Sequence, residues 1–212
     1  MSGAVLSRSL APRPRQPLSV PFRYMPLTRD HTRGTGLAVA VDLVNTWDEL
    51  EAEPDLIEGL ADVRYWLDWH GLHTAAKRLR SSDVDQVRAL RARFDRVFDA
   101  KTEAEAVKLL NELGREYGTA PQLERVHGGW RLRSWPDERE GLPAVAAYAA
   151  AGLLEAFREL GWHRFGRCAG TPCRCAFVDR SRNRTRRYCC NLCADRVAQA
   201  HYRARKKALP AS

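Results

Sequence analysis

The sequence predicts a mainly α-helical protein with a small β component: an α+β body, then a compact cysteine-rich module. Three observations predict it. Between residues 36 and 161 apolar side chains recur at helical spacing in several punctuated segments. A Gly-Gly pair interrupts a short alternating stretch in the manner of a hairpin. All six cysteines lie between Cys168 and Cys193, and none precedes them.

At 212 residues the chain suffices for one ordinary domain with a small appendage. Its 44% hydrophobic and 29% charged content is that of a folded protein. The longest near-continuous apolar run, Ala144 to Leu154, is well short of the roughly 18 residues that cross a bilayer, so no membrane span is expected. The net charge of +9 is unevenly placed. Residues 162–207 carry thirteen Lys/Arg against two acids, residues 1–35 carry six Arg against one Asp, and the stretch between them is net acidic. A basic module on an acidic body is the footprint of a polyanion binder.

Residues 1–35, rich in Pro, Arg and Ser, read as a disordered extension. Leu37 to Thr46 is apolar and β-branched, and is expected as a buried strand or strand-to-helix entry. Asp55 and Glu58 are spaced as a capping box for a helix carrying Leu60, Val63 and Leu67, with Gly71 as its stop. Ser82 and Asp85 open a second helix through Phe98, and Thr102 and Glu105 a third that ends at Gly114. Gln122–Val126 and Trp130–Ser134 flank His127-Gly128-Gly129 as a hairpin. Pro143 starts a run to Leu160 that is apolar on nearly every face, the mark of a central core helix, and Gly161 ends it. The boundaries expected are therefore 36–161 for the body and 162–208 for the module.

Cys168 and Cys173 are separated by four residues, Cys189 and Cys193 by three, and the pairs by fifteen. Two close pairs at that separation are what a tetrahedral four-thiolate zinc site asks of a chain. Ala176–Val178 and Arg186–Tyr188 would be the strands of the intervening hairpin, turning at Ser181–Arg184. A structural zinc, worth on the order of 10–16 kcal/mol, would fold a segment with too few large apolar side chains to fold alone. The even cysteine count also admits disulfides. Against them stand the absence of an apolar leader core and the adjacency of Cys189 and Cys190. Cys175 and Cys190 fall outside the spacing and read as small buried residues. The module is expected to be a treble-clef-like zinc finger with Zn2+ as cofactor; composition also admits an iron–sulfur cluster, but the closed pairing favours zinc.

Arg180, Arg182, Arg184, Arg186 and Arg187 crowd the finger's loop. Arg196, Arg203, Arg205, Lys206 and Lys207 lie on the helix expected after Cys193. Ten cations on one metal-braced scaffold favour contact with nucleic acid. The predominance of Arg suits bidentate contacts with phosphates and guanine edges, and sparse aromatics favour double-stranded DNA over RNA.

These residues resemble something known. Arg167-Cys-Ala-x-x-x-Cys173, Phe177-Val-Asp-Arg-Ser-Arg-Asn-Arg-Thr-Arg-Arg-Tyr-Cys189 and Cys193-Ala-Asp-Arg-Val197 are similar to the CGNR zinc finger. Val41-Asp-Leu-Val-Asn-Thr46 resembles the start of the ABATE domain that precedes that finger. The resemblance implies a bacterial, stress-induced transcription regulator whose finger binds DNA and whose larger domain senses a ligand. Where the family name has Cys-Gly-Asn-Arg this chain has Cys193-Ala194-Asp195-Arg196, so no role is carried over for that glycine and asparagine.

Asp42, Asn45 and Thr46 end an apolar run and are candidates to face a ligand pocket; the alternative is a helix cap with a solvated Asp42. Asp68, His70 and His73 beside Trp66 and Trp69 form a conceivable acid–base group, but the histidines straddle Gly71. No phosphate loop, nucleophile elbow or His-Glu metal motif occurs, so no enzyme is expected. The expectation is a cytoplasmic, nucleoid-associated regulator. Its finger contacts DNA and its body senses a ligand or forms a homodimer. An RNA-associated protein, or an interaction protein with a purely structural finger, is the alternative.

Overall fold

Gly36–Val44 is a helix, α1, with every residue buried, and neither the strand nor the strand-to-helix entry expected there. A short run that is apolar on all sides has no periodicity to separate the two forms, so its surroundings decide. Thr35 Oγ1 caps the helix by accepting from the Ala38 N–H at 3.3 Å. These coordinates are a computed structural model describing residues 34–118, 122–133 and 141–208. The expected N-terminal extension, up to residue 33, lies outside the described residues.

Against α1 lies α6 (Leu142–Leu160), the core helix foreseen from its sequence. The two backbones approach through glycines. A Cβ on Gly36 would stand 2.2 Å from the Tyr148 carbonyl oxygen, and one on Gly152 2.1 Å from the Leu37 nitrogen.

The helix α2 (Leu60–Trp69) begins later than the capping box at Asp55 implied. Asp62, not Asp55, closes its start, accepting from the Glu58 and Gly59 N–H groups at 2.9 Å each. Asp55 is drawn instead to Arg91, at 2.6 and 2.9 Å. Gly71 follows the helix end in the left-handed region, at φ +78°. After α3 (His73–Arg78) a single 3-10 turn leads into α4 (Val84–Asp99). For α5 (Glu103–Tyr117) Thr102 caps the start as expected: its Oγ1 accepts from Glu105 N at 3.2 Å, while the Glu105 carboxylate accepts from Lys101 N, one residue before the cap, at 2.7 Å. It continues past Gly114, which serves packing rather than termination: a Cβ there would come within 3.2 Å of Leu154.

Strands β1 (Gln122–Val126) and β2 (Gly129–Arg133) pair antiparallel as expected, with Gln122 opposite Arg133 and Val126 opposite Gly129. The foreseen end of the second strand, Ser134, lies outside the described residues. The C-terminal module contributes β3 (Phe165–Arg167) and β4 (Ala176–Val178), antiparallel, and then α7 (Asn191–Ala208). Phe165, Ala176 and Val178 are buried in the same apolar core as Val87, Phe94 and Leu153, so the core runs from the helices into the module.

Candidate metal centre and basic surface

The hairpin β3–β4 carries the first cysteine pair at its tip. Cys168 follows β3 directly, its N–H donating to the Cys175 carbonyl at 2.9 Å, and Cys173 N–H donates to the Gly170 carbonyl at 3.0 Å. Cys189 lies two residues ahead of α7, and Cys193 sits in its first turn. The four sulfurs, all buried, lie within 4.8 Å of one another. The Cys173–Cys189 and Cys189–Cys193 Sγ separations are 3.7 and 3.6 Å. A disulfide would need about 2.05 Å, whereas a regular four-sulfur tetrahedron with bonds of about 2.3 Å has edges of about 3.8 Å. The site fits a tetrahedral metal held by Cys168, Cys173, Cys189 and Cys193, whose bonds would close the finger.

Hydrogen bonds from Cys168, Cys175 and Cys189 pull the Cys173 thiol far below its ordinary range. The same kind of contacts push Cys189 up, and burial with the Cys173 charge pushes Cys193 up. One thiolate is favoured and further negative charge is opposed; a divalent cation among the sulfurs removes that opposition. Cys175 and Cys190 lie outside the four. Cys175 is buried against them and Cys190 Sγ is 3.8 Å from Cys189 Sγ.

One expectation for the finger is corrected. Arg186–Tyr188 is not a strand, and β4 pairs with β3 ahead of the first cysteine. The reason is Asp179, whose buried carboxylate accepts from Ser181 N at 2.7 Å and Arg186 N at 3.1 Å. These bonds curl the chain after β4 into a closed loop, with Arg184 in the left-handed region at φ +53°. Burial would raise the Asp179 carboxyl, but the N–H donors of Ser181 and Arg186 and the nearby Arg164 hold it below its ordinary value.

The finger is clasped to the body. Asn45, at the end of α1, donates to the Ala176 carbonyl at 3.0 Å and accepts from the Ala176 N–H at 2.7 Å. Arg167 reaches α4, donating to Asp95 at 2.6 Å and Asp99 at 3.0 Å, and Arg174 joins Asp99 at 3.2 Å. The role of Arg167 escaped sequence reasoning because its partners lie about seventy residues away and nothing local marks them.

The basic residues divide. Arg182, Arg184 and Arg187 on the loop, and Arg203, Arg205, Lys206 and Lys207 on α7, are exposed. Arg180 is exposed too, with Glu159 at 3.7 Å. Arg186 and Arg196 turn inward. Arg186 donates to the Tyr188 and Cys189 carbonyls and lies over Phe177, and Arg196 donates to the Gly170 carbonyl. Gly170 is the contact point of the helix with the knuckle: a Cβ there would meet Arg196 at 3.1 Å and Val197 at 3.4 Å.

Asp42, Asn45 and Thr46 are buried and bonded to the protein itself. Asp42 lies 3.3 Å from His70 Nε2, while Thr46 donates to the Leu43 carbonyl at 2.7 Å and accepts from Arg91 at 3.1 Å. His70 is thereby separated from Asp68, which pairs with the exposed His73 at 2.8 Å. The Asp68, His70 and His73 grouping is not brought together. A cleft of about 400 Å³ does open where the body meets the finger, between Trp47, Arg88 and Asp95 on one side and Arg167 and Arg174 on the other.

A helical body clasped to a four-cysteine finger is the class of protein these features define. The chain belongs to the ABATE family, described as "Putative stress-induced transcription regulator", whose model matches residues 37–157. The CGNR zinc finger model matches residues 164–206. Both families are regulatory or zinc-finger families, and neither is enzymatic. No curated protein matches the chain. None of the helices among the described residues is long and apolar enough to cross a membrane.

Proposed function

We propose that the protein is a bacterial transcription regulator that binds double-stranded DNA through its finger, with zinc as the metal among the four sulfurs. The observation that carries this reading is the exposed array of Arg182, Arg184, Arg187, Arg203, Arg205, Lys206 and Lys207, with no acid from Arg196 to Lys207. Cations anchored on a rigid scaffold neutralise phosphates and release their counterions. The closed four-thiolate set is that of a structural zinc. On this reading the body senses a small-molecule ligand or forms a homodimer. The cleft beside Trp47 is the place for a ligand, because both parts of the chain wall it. The protein then acts in the cytoplasm, at the nucleoid.

The test is duplex-DNA affinity as a function of salt. With five or so phosphates contacted, log K falls against log salt with a slope of about −4 to −5. An affinity indifferent to salt overturns the reading, as does RNA outcompeting duplex DNA.

A further inference from the structure

The last three turns of α7 leave the body. Its base is fixed by Cys193 in the metal set and by Arg196 and Val197 against Gly170. Every residue from Ala198 to Lys207 is exposed. Ten helical residues span about 15 Å, and the major groove of B-DNA, about 12 Å wide and 8.5 Å deep, admits a single α-helix. The small Ala198, Ala200 and Ala204 leave this stretch slim, and its four cations match the charge of the groove's walls.

The helix has a distinct outer stripe. Gln199, Arg203 and Lys206 follow one another at i, i+4 and i+7, on a different face from the one Cys193 and Val197 press on the finger. Gln can make a bidentate contact with adenine, and Arg with guanine. The loop differs in kind. Arg182, Arg184 and Arg187 sit on a curl fixed by Asp179 that has no helix or strand to lay along a groove, and arginines that reach phosphates fix a protein's register on the duplex without reading sequence.

We infer that α7 is a recognition helix that enters the major groove of duplex DNA, with Gln199 and Arg203 as the residues that read base edges and the Arg182–Arg187 loop as a phosphate grip. This rests on the DNA-binding reading above and adds which element gives specificity.

The experiment is a random-sequence duplex selection with the intact, metal-loaded protein. Affinities for the selected site and for an unrelated duplex are then measured for the wild type and for Gln199→Ala, Arg203→Ala and Arg182→Ala. All three positions are exposed, and metal content checks that each variant keeps its finger. Gln199→Ala and Arg203→Ala are expected to weaken the selected site about tenfold or more, with a far smaller loss on the unrelated duplex. Arg182→Ala is expected to weaken both alike and to flatten the salt slope by about 0.9. If the wild type binds duplex DNA but selects no site, or if the two α7 variants lose equally on both duplexes, α7 supplies charge alone and the inference fails while DNA binding stands. If the wild type binds no duplex, DNA binding itself fails.

Discussion

Asn45 and Ala176, 131 positions apart in sequence, exchange two hydrogen bonds in the buried seam between α1 and β4. The Asn45 amide offers one donor and one acceptor, and the Ala176 backbone presents the complementary pair, so the side chain behaves as an extra strand residue beside β4. Asn45→Ala leaves a buried N–H and a buried C=O without partners, at about 1–3 kcal/mol each. A urea titration is expected to show a loss of about 2–6 kcal/mol. Asn45→Asp is expected to do no better, since a carboxylate oxygen would then face the Ala176 carbonyl. A loss within error for Asn45→Ala would remove the clasp.

The close approach of α1 and α6 makes a second prediction. Gly152→Ala sets a methyl 2.1 Å from the Leu37 nitrogen, and Gly36→Ala sets one 2.2 Å from the Tyr148 carbonyl oxygen. Neither neighbour is a flexible side-chain end, so the helices must part. Each variant is expected to lose about 3 kcal/mol by thermal or denaturant unfolding, although alanine is the better helix former. An unchanged or raised stability would contradict the packing of these two helices.

Acid provides a third. Burial would raise the Asp55 carboxyl, but Arg91 and the Ile57 N–H, with Arg88 nearby, together hold it below its ordinary value of 3.8. A carboxyl lowered in the folded state contributes stability that is full above 3.8 and lost as pH falls below it. Asp179 behaves alike. Thermal stability is therefore expected to fall as pH drops through this range, and Asp55→Asn to be less stable at neutral pH with a shallower acid limb. An acid limb identical to that of the wild type would contradict the role given to Arg91.

The cysteines divide four and two. Cys173→Ser and Cys193→Ser are expected to abolish stoichiometric metal, while Cys175→Ala and Cys190→Ala keep it, as read by metal analysis of the purified proteins. Metal lost with Cys175→Ala and kept with Cys173→Ser would reassign the set.

Much of this was legible in the sequence, for physical reasons. The helices α4, α5 and α6 were readable from apolar spacing, with the Thr102 cap marking α5 and Pro143 and Gly161 bounding α6; the opening expected of α4 at Ser82 and Asp85 did not form, since Asp83 accepts from the Arg80 N–H and Asp85 pairs with Arg88. The cluster of Cys168, Cys173, Cys189 and Cys193 was readable because tetrahedral coordination asks for such a spacing of the chain. α1 was not, because a helix buried on every side erases its own period. Its two glycine contacts were invisible because α6 supplies the partner backbone. Asp55 looked like a cap until Arg91, 36 residues on, claimed its carboxylate. Arg186 and Arg196 looked identical to their neighbours as charges, and only the fold shows their guanidinium groups spent on the carbonyls of Tyr188, Cys189 and Gly170.

The joint dependence of the finger and its DNA contact on the metal is the claim most directly open to measurement. Duplex-DNA affinity is measured at one moderate salt concentration, before and after removal of the metal with a chelator and again after zinc is restored. Loss of the metal should unfold the segment that anchors α7, weaken binding more than about tenfold, and be reversed by zinc. A chelated protein that binds as tightly as before would contradict the account.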